Sequence, residues 1–300
     1  MRKRLFRLLV IAVVLVLIRA ALADRSGRNT ETRSTSVDTR RVVIGADLNE
    51  TEIAAVYSLF GLERGSISEL RLTNSEERAY LQNGVNADAI GTRTVSCVFM
   101  ELMPEGSGLT IQTSNISWTP EMYSSSLATA GITDAWIAVA APFPVTGTGA
   151  LAGIYKAYED MTGKRLNAEN KAAGSQELSL LGELARQIGS VDSTVIVREI
   201  KQLLAQGTAL SDWELREQML QISSRLHVTL TEEQLGQLVM LFRSLQGLDS
   251  DALQQHMDGL HGAMQRVSEA REKAETVMDE AGAAVRAVSG FFRSVRDLFR

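Results

Sequence analysis

Residues 110–143, TIQTSNISWTPEMYSSSLATAGITDAWIAVAAPF, decide the fold. TIQTSNISW reads as a strand, Thr119 as a helix N-cap, and Pro120 takes the first helical position, where its missing N–H costs nothing. Gly131 stops the helix, and DAWIAVAAPF follows as a strand. The same order occurs seventy residues earlier. RVVIGAD (41–47) is a short buried strand, Asn49 and Glu52 form a capping box, Gly61 is the stop, and SISELRLTN (66–74) is the outgoing strand. Cap to stop takes twelve residues in both cases, and one offset of 70 also aligns Ile67 with Ile137. The pattern predicts two related strand-helix-strand units, each with a right-handed crossover if its strands are parallel neighbours.

Between the units, TRTVSCVFMELM and LTIQTSNISW flank PEGSG, a connection rich in turn glycines that predicts an antiparallel hairpin and hence a mixed sheet. After Glu159 the composition turns polar, and everything beyond reads as helix. SQELSLLGELARQIG, DSTVIVREIKQLLAQ, SDWELREQMLQISSRL and TEEQLGQLVMLFRSL carry apolar residues at three-and-four spacing, with further capping boxes at Ser211/Glu214 and Thr231/Gln234. The expected class is α+β: a mixed sheet over 42–162, a linker over 163–174, a helical bundle over 175–262 and a long amphipathic helix over 263–300.

The opening residues point to export. Arg2, Lys3, Arg4 and Arg7 precede an apolar run from Leu8 to Ile18, and Ala21-Leu22-Ala23 offers a small-x-small cleavage site before Asp24. Eleven apolar residues closed by Arg19 fall short of the roughly 20 needed to span hydrocarbon, so a cleaved signal peptide (1–23) is expected rather than an anchor. Asp24 to Arg41 has a single apolar residue and reads as a flexible polar tether.

Cleavage would remove five of the 31 basic residues and none of the 36 acidic ones, leaving 26 against 36 and a net charge of −10. Such a balance argues against nucleic acid as a partner. The single cysteine, Cys97, has no internal partner, so an exported chain of this length must rely on its core.

Gly147, Gly149 and Gly153, in PVTGTGALAGIYK, pose the question of a bound phosphate. Their G-x-G-x-x-x-G spacing exceeds the dinucleotide fingerprint by one, no strand with an acidic residue follows, and Lys156 is not followed by Ser or Thr. The expectation is structural: a proline-fixed turn, a cap from Thr146 or Thr148, and close packing of the helix on the sheet. No cofactor is expected.

GTRTVSCVFM (91–100), GSGLTIQTSNISWTPEMY (106–123) and LATAGITDAWIAVAAPFPVTGTGALAGIYKAYE (127–159) resemble signature blocks of the YpuA-like proteins, domain of unknown function 1002. The resemblance runs from about Val42 to the end of the helical region. Two departures stand out: Ser96-Cys97-Val98 where the family is expected to read Ser-Ser-Val, and Gly147-Thr148-Gly149-Ala150-Leu151 where Gly-Thr-Ala-Ala-Leu is expected. The second removes family support for a glycine fingerprint. The resemblance implies an exported protein, chiefly of Gram-positive bacteria, and transfers no catalytic residues.

Other templates fail as well. His256 and His261 are five apart, off one helical face, and His227 stands alone, so no metal is expected. No G-x-S-x-G elbow occurs. Glu76-Glu77 and Glu232-Glu233 fall in first turns, where carboxylates favour the positive end of the helix dipole.

At the C-terminus, Met264, Val267, Ala274, Met278, Ala281, Val285, Val288, Phe292, Val295 and Phe299 follow three-and-four spacing, while Arg286, Arg293, Arg296 and Arg300 face one acid, Asp297. Val288, Phe291, Phe292, Arg293, Val295, Arg296, Phe299 and Arg300 are the residues that would meet a membrane surface or a partner. A net of three charges is worth about 3 kcal/mol at an anionic surface, which makes such attachment reversible. Packing on the bundle or self-association through the heptads uses the same residues.

The functional expectation is an exported, envelope-associated or extracellular, non-enzymatic interaction protein. The alternative is a secreted hydrolase or small-ligand binder using Asn115, Thr119 and Thr146 at strand ends, for which a deep pocket gathering those side chains would speak.

Overall fold

The computed structural model describes residues 38–206 and 210–248. The signal segment with its cleavage site at Ala23 and Asp24, the tether to residue 37, His256, His261 and the C-terminal contact residues from Val288 to Arg300 lie outside these described residues. In order, the elements are β1 (Arg40–Gly45), α1 (Glu50–Phe60), β2 (Glu69–Leu72), α2 (Asn74–Leu81), α3 (Ala87–Ile90), β3 (Cys97–Leu102), β4 (Leu109–Ile116), α4 (Pro120–Ala130), β5 (Ala135–Val145), α5 (Thr148–Thr162), α6 (Ala168–Ile188), α7 (Ser190–Ala205), α8 (Asp212–Arg225) and α9 (Glu232–Gln246). The chain is α+β, a five-stranded mixed sheet followed by helices.

Local signals appear where they were expected. Asn49 and Glu52 close a capping box on α1, Thr119 accepts from the Met122 N–H at the start of α4, and Gly61 and Gly131 adopt left-handed φ of 66° and 91°. Both expected strand pairs are parallel neighbours: Val42 to Gly45 against Glu69 to Leu72, and Leu109 to Ser114 against Ala135 to Ala140.

The hairpin is not formed. The sheet order is β2-β1-β3-β5-β4, so β5 lies between β3 and β4, antiparallel to the former and parallel to the latter. Burial is the cause. On β5 the run Ile137, Ala138, Val139, Ala140 and Ala141 is buried throughout, whereas β4 exposes Thr110 and Gln112. The apolar strand takes the centre and the polar one the edge. Stepping over one strand spans roughly 10 Å, within reach of residues 103–108.

The two strand-helix-strand units are also less alike than their caps suggest. Side chains alternate across the sheet. On one face Val42, Ile44, Cys97, Phe99, Ala138 and Ala140 pack against Ile53, Val56 and Tyr57 of α1. On the other, Val43, Val98, Met100, Ile137 and Val139 pack against α4 and α5. Strands β1, β2, β4 and β5 all run the same way, and β1 to β2 steps across the sheet in the same sense as β4 to β5. Equal steps taken on opposite faces have opposite hands, so at most one crossover is right-handed. Ile67 and Ile137 accordingly belong to different cores. The shared cap-to-stop length is helix grammar, not a repeat.

The expected linker at 163–174 is likewise helical from Ala168. Asn167 caps α6 by accepting from the Glu169 and Asn170 N–H groups, and the small residues Ala173 and Gly174 are buried, with no room for a β-carbon on Gly174 beside the Ser126 carbonyl 2.6 Å away. What reads as polar composition is a helix start lying tightly on α4. One apolar cluster then runs continuously from Val43 to Leu245, joining the sheet to α9.

Candidate interaction surface

The three glycines of the loop after β5 are explained by contact. Gly147 has φ 114°, offers no side-chain cap, and accepts from the Tyr123 hydroxyl through its carbonyl at 2.9 Å. Neither Thr146 nor Thr148 caps α5, contrary to expectation, because the chain enters the helix through this left-handed glycine beside the Tyr123 hydroxyl. A β-carbon at Gly147 would fall 2.3 Å from the Tyr123 Oη, at Gly149 3.2 Å from Glu77 Oε2, and at Gly153 3.2 Å from Val98 Cγ2.

The start of α5 already has its carboxylate. Glu77, expected to serve only its own helix, is buried, accepts from the Thr94 hydroxyl at 2.5 Å and from the Thr148 side chain, and occupies the space a β-carbon on Gly149 would crowd. It stands where an anion would be drawn by the helix N-terminus. Burial holds its carboxyl above the ordinary glutamate range, against the pull of those hydroxyls.

Asn115, Thr119 and Thr146 all lie at the carboxyl ends of β4 and β5, and each is spent locally or in solvent. Asn115 sits at the β4 bulge with φ 60° and donates to the Ala141 carbonyl, Thr119 caps α4, and Thr146 is exposed.

Sequence reasoning missed the most polar part of the core. Lys201 on α7 and Glu177 on α6 form an ion pair of 2.7 Å at 2% and 0% exposure. Ser125 and Thr129 of α4 donate to the two Glu177 oxygens, and Lys201 donates to the Ser125 carbonyl at 2.9 Å and its hydroxyl at 3.0 Å. Desolvation pulls the Lys201 ammonium down and the Glu177 carboxylate draws it back up. A serine beside a lysine has the atoms of a nucleophile and its base. Here Ser125 is 6% exposed, and the ammonium is held by Glu177, so the arrangement is a clasp binding α4, α6 and α7. No local pattern distinguishes these two charges from surface ones.

Cys97 is fully buried, and desolvation pushes its thiol up to about 12, far from a reactive thiolate. His227 lies in the left-handed region at φ 58°, its N–H closing the end of α8 on the Ser224 carbonyl. Among the described residues no group of three metal-ligating side chains gathers.

Among the described residues, exposed large apolar side chains are scattered over Leu59, Met103, Phe143, Val191 and Met240, while two more, Trp213 and Leu220, share α8. Its inner face buries Leu215, Met219 and Ile222, while Trp213 and Leu220, seven residues apart and thus on one outward stripe, are 71% and 49% exposed. Leu220 borders an open depression of about 600 Å³ whose described lining is Glu217, Gln218, Gln221, Ser224 and Arg225. The helix is braced at both ends: Ser211 and Glu214 close a capping box, Asp212 accepts from Arg243 at 2.6 Å, Arg216 meets Glu232 at 2.7 Å, and Arg225 meets Glu199 at 3.0 Å. Trp213 projects outward from the first turn of this helix. The signal in the sequence was a tryptophan on the polar side of an amphipathic helix.

Comparison with known proteins agrees in extent with this fold. The sequence model of a family described as "Protein of unknown function (DUF1002)" matches residues 44–261, from β1 past α9. The "Uncharacterized protein YpuA" of Bacillus subtilis (strain 168) is 34% identical over 254 residues, covering 84% of each chain. No solved structure matches.

Proposed function

We propose, from the premise that the chain belongs to the DUF1002 family, an exported, non-enzymatic interaction protein that acts at the cell envelope or outside the cell. The observation that carries this reading is the outward face of α8. A large aromatic with a polar handle, exposed on an ion-paired helix, is the residue type that anchors protein interfaces. Among the described residues, the buried charged groups Glu77, Lys201 and Glu177 serve structure, Glu77 at the start of α5 and Lys201 with Glu177 in the helix clasp. Export is read from the basic head, apolar run and Ala21-Leu22-Ala23 site, and the arginine-bearing C-terminal stripe would add weak, reversible contact with an anionic surface.

The test is in-cell photocrosslinking from position 213, with position 105 on the exposed β3–β4 connection as control. The expected result is capture of a defined envelope or extracellular component from 213 and not from 105, by a chain whose first residue is Asp24. Turnover of a small molecule by the purified chain, abolished by one polar substitution, would overturn the reading.

A further inference from the structure

The two edges of the sheet are protected unequally. Strand β2 is four residues long, Glu69–Leu72, and Glu69 is paired with Arg71 at 3.0 Å and Arg64 at 3.4 Å. Short, charged edges resist pairing with another chain. Strand β4, at the other edge, is eight residues long, and LTIQTSNI carries neither a charge nor a proline. The Gly108 carbonyl accepts from the Ala135 N–H, and hydrogen-bonding direction alternates along a strand. The N–H and C=O groups of Leu109, Ile111 and Thr113 therefore point away from β5. A bulge between Ser114 and Ile116 ends this regular run.

We infer that the β4 edge pairs with the β4 edge of a second copy of this chain, antiparallel, about a two-fold axis at Ile111. The inference rests on the strand edge alone and is independent of the α8 face. In a two-fold contact, a residue on the axis meets itself and those beside it meet close neighbours, so a charge on the axis would face its like. Strand β4 carries no charge at any position, so no register of this contact sets like charges together. Centring on Ile111 pairs every outward-pointing residue: Leu109 with Thr113 of the second copy, Ile111 with its own equivalent, Thr113 with Leu109. Thr110 then lies opposite Gln112 of the second copy, two exposed, uncharged side chains able to hydrogen-bond across the strands.

Two measurements on the purified full chain test this. Directly opposed, hydrogen-bonded residues of antiparallel strands have Cα atoms about 5.5 Å apart, inside the range a disulfide spans. Ile111→Cys should form a disulfide-linked dimer on mild oxidation, and Glu105→Cys far less; the buried Cys97 stays silent in both. Ile111 is half-buried, so a second variant uses exposed positions only. Thr110→Lys with Gln112→Lys sets like charges opposite one another twice per dimer and should weaken the dimer about tenfold or more in sedimentation velocity. A monomer throughout the micromolar range, a dimer indifferent to the two lysines, or failure of the Ile111→Cys variant to crosslink more than Glu105→Cys would each overturn the inference.

Discussion

Lys201 Nζ lies 2.7 Å from Glu177 Oε1, and neither side chain meets solvent. Removing one partner strands the other as a buried, unpaired charge, whereas removing both leaves only the neutral Ser125 and Thr129 groups without their partners. Lys201→Met should lower stability by about 3–5 kcal/mol in urea unfolding, and adding Glu177→Leu should recover part of that loss. Additive losses in the double variant would mean that the pair is not coupled.

The buried Glu77 carboxyl makes stability depend on pH. Its folded pKa is raised by desolvation, so its contribution is fully present below the unfolded pKa and is lost as the pH rises through the folded value. Glu77→Gln cannot ionise. The melting temperature of this variant relative to the wild type should therefore climb as the pH is raised from the ordinary glutamate range towards neutrality; a constant difference would show that Glu77 titrates as in the unfolded chain.

The loop glycines should rank by contact. Gly147→Ala forces a β-carbon to 2.3 Å from the Tyr123 Oη and 2.8 Å from Ile116 Cγ2 at a φ of 114°, combining strain with overpacking. A loss of about 2 kcal/mol or more is expected. Gly149→Ala, whose tightest neighbour is the Glu77 carboxylate at 3.2 Å, should cost clearly less in the same unfolding assay. Equal losses would contradict the packing account.

Deletion of residues 283–300 removes four arginines and three phenylalanines from an acidic chain. Co-sedimentation with anionic vesicles should fall, and binding of the full chain should fade with added salt. Unchanged sedimentation would exclude a membrane role for this stretch.

Much of the α+β architecture was legible because its signals act over a few residues. Asn49, Thr119, Ser211 and Thr231 each accept from the backbone within the first turn of the helix they start. Gly61 and Gly131 end their helices in a conformation that favours glycine. The spacing of Gly147, Gly149 and Gly153 pointed to close packing of α5 on the sheet, which Gly153 shows against Val98, but not to the left-handed turn of Gly147 beside Tyr123. The α8 face was half legible: the helix was clear, but the outward direction of Trp213 depends on which side the bundle buries.

By itself, then, the sequence determined the class, the two strand-helix-strand segments, and the helix caps at Asn49, Thr119, Ser211 and Thr231 with the stops at Gly61 and Gly131. Only the tertiary structure decided that β1/β2 and β4/β5 pair in parallel, that β5 inserts beside β3, that the two crossovers take opposite faces, and that Glu177 meets Lys201 across helices. The reason is range. A cap or a stop is settled by the chain's own neighbours within one turn, whereas the choice of sheet neighbours and buried partners is a competition for apolar area between segments far apart in the chain. No short stretch contains that comparison.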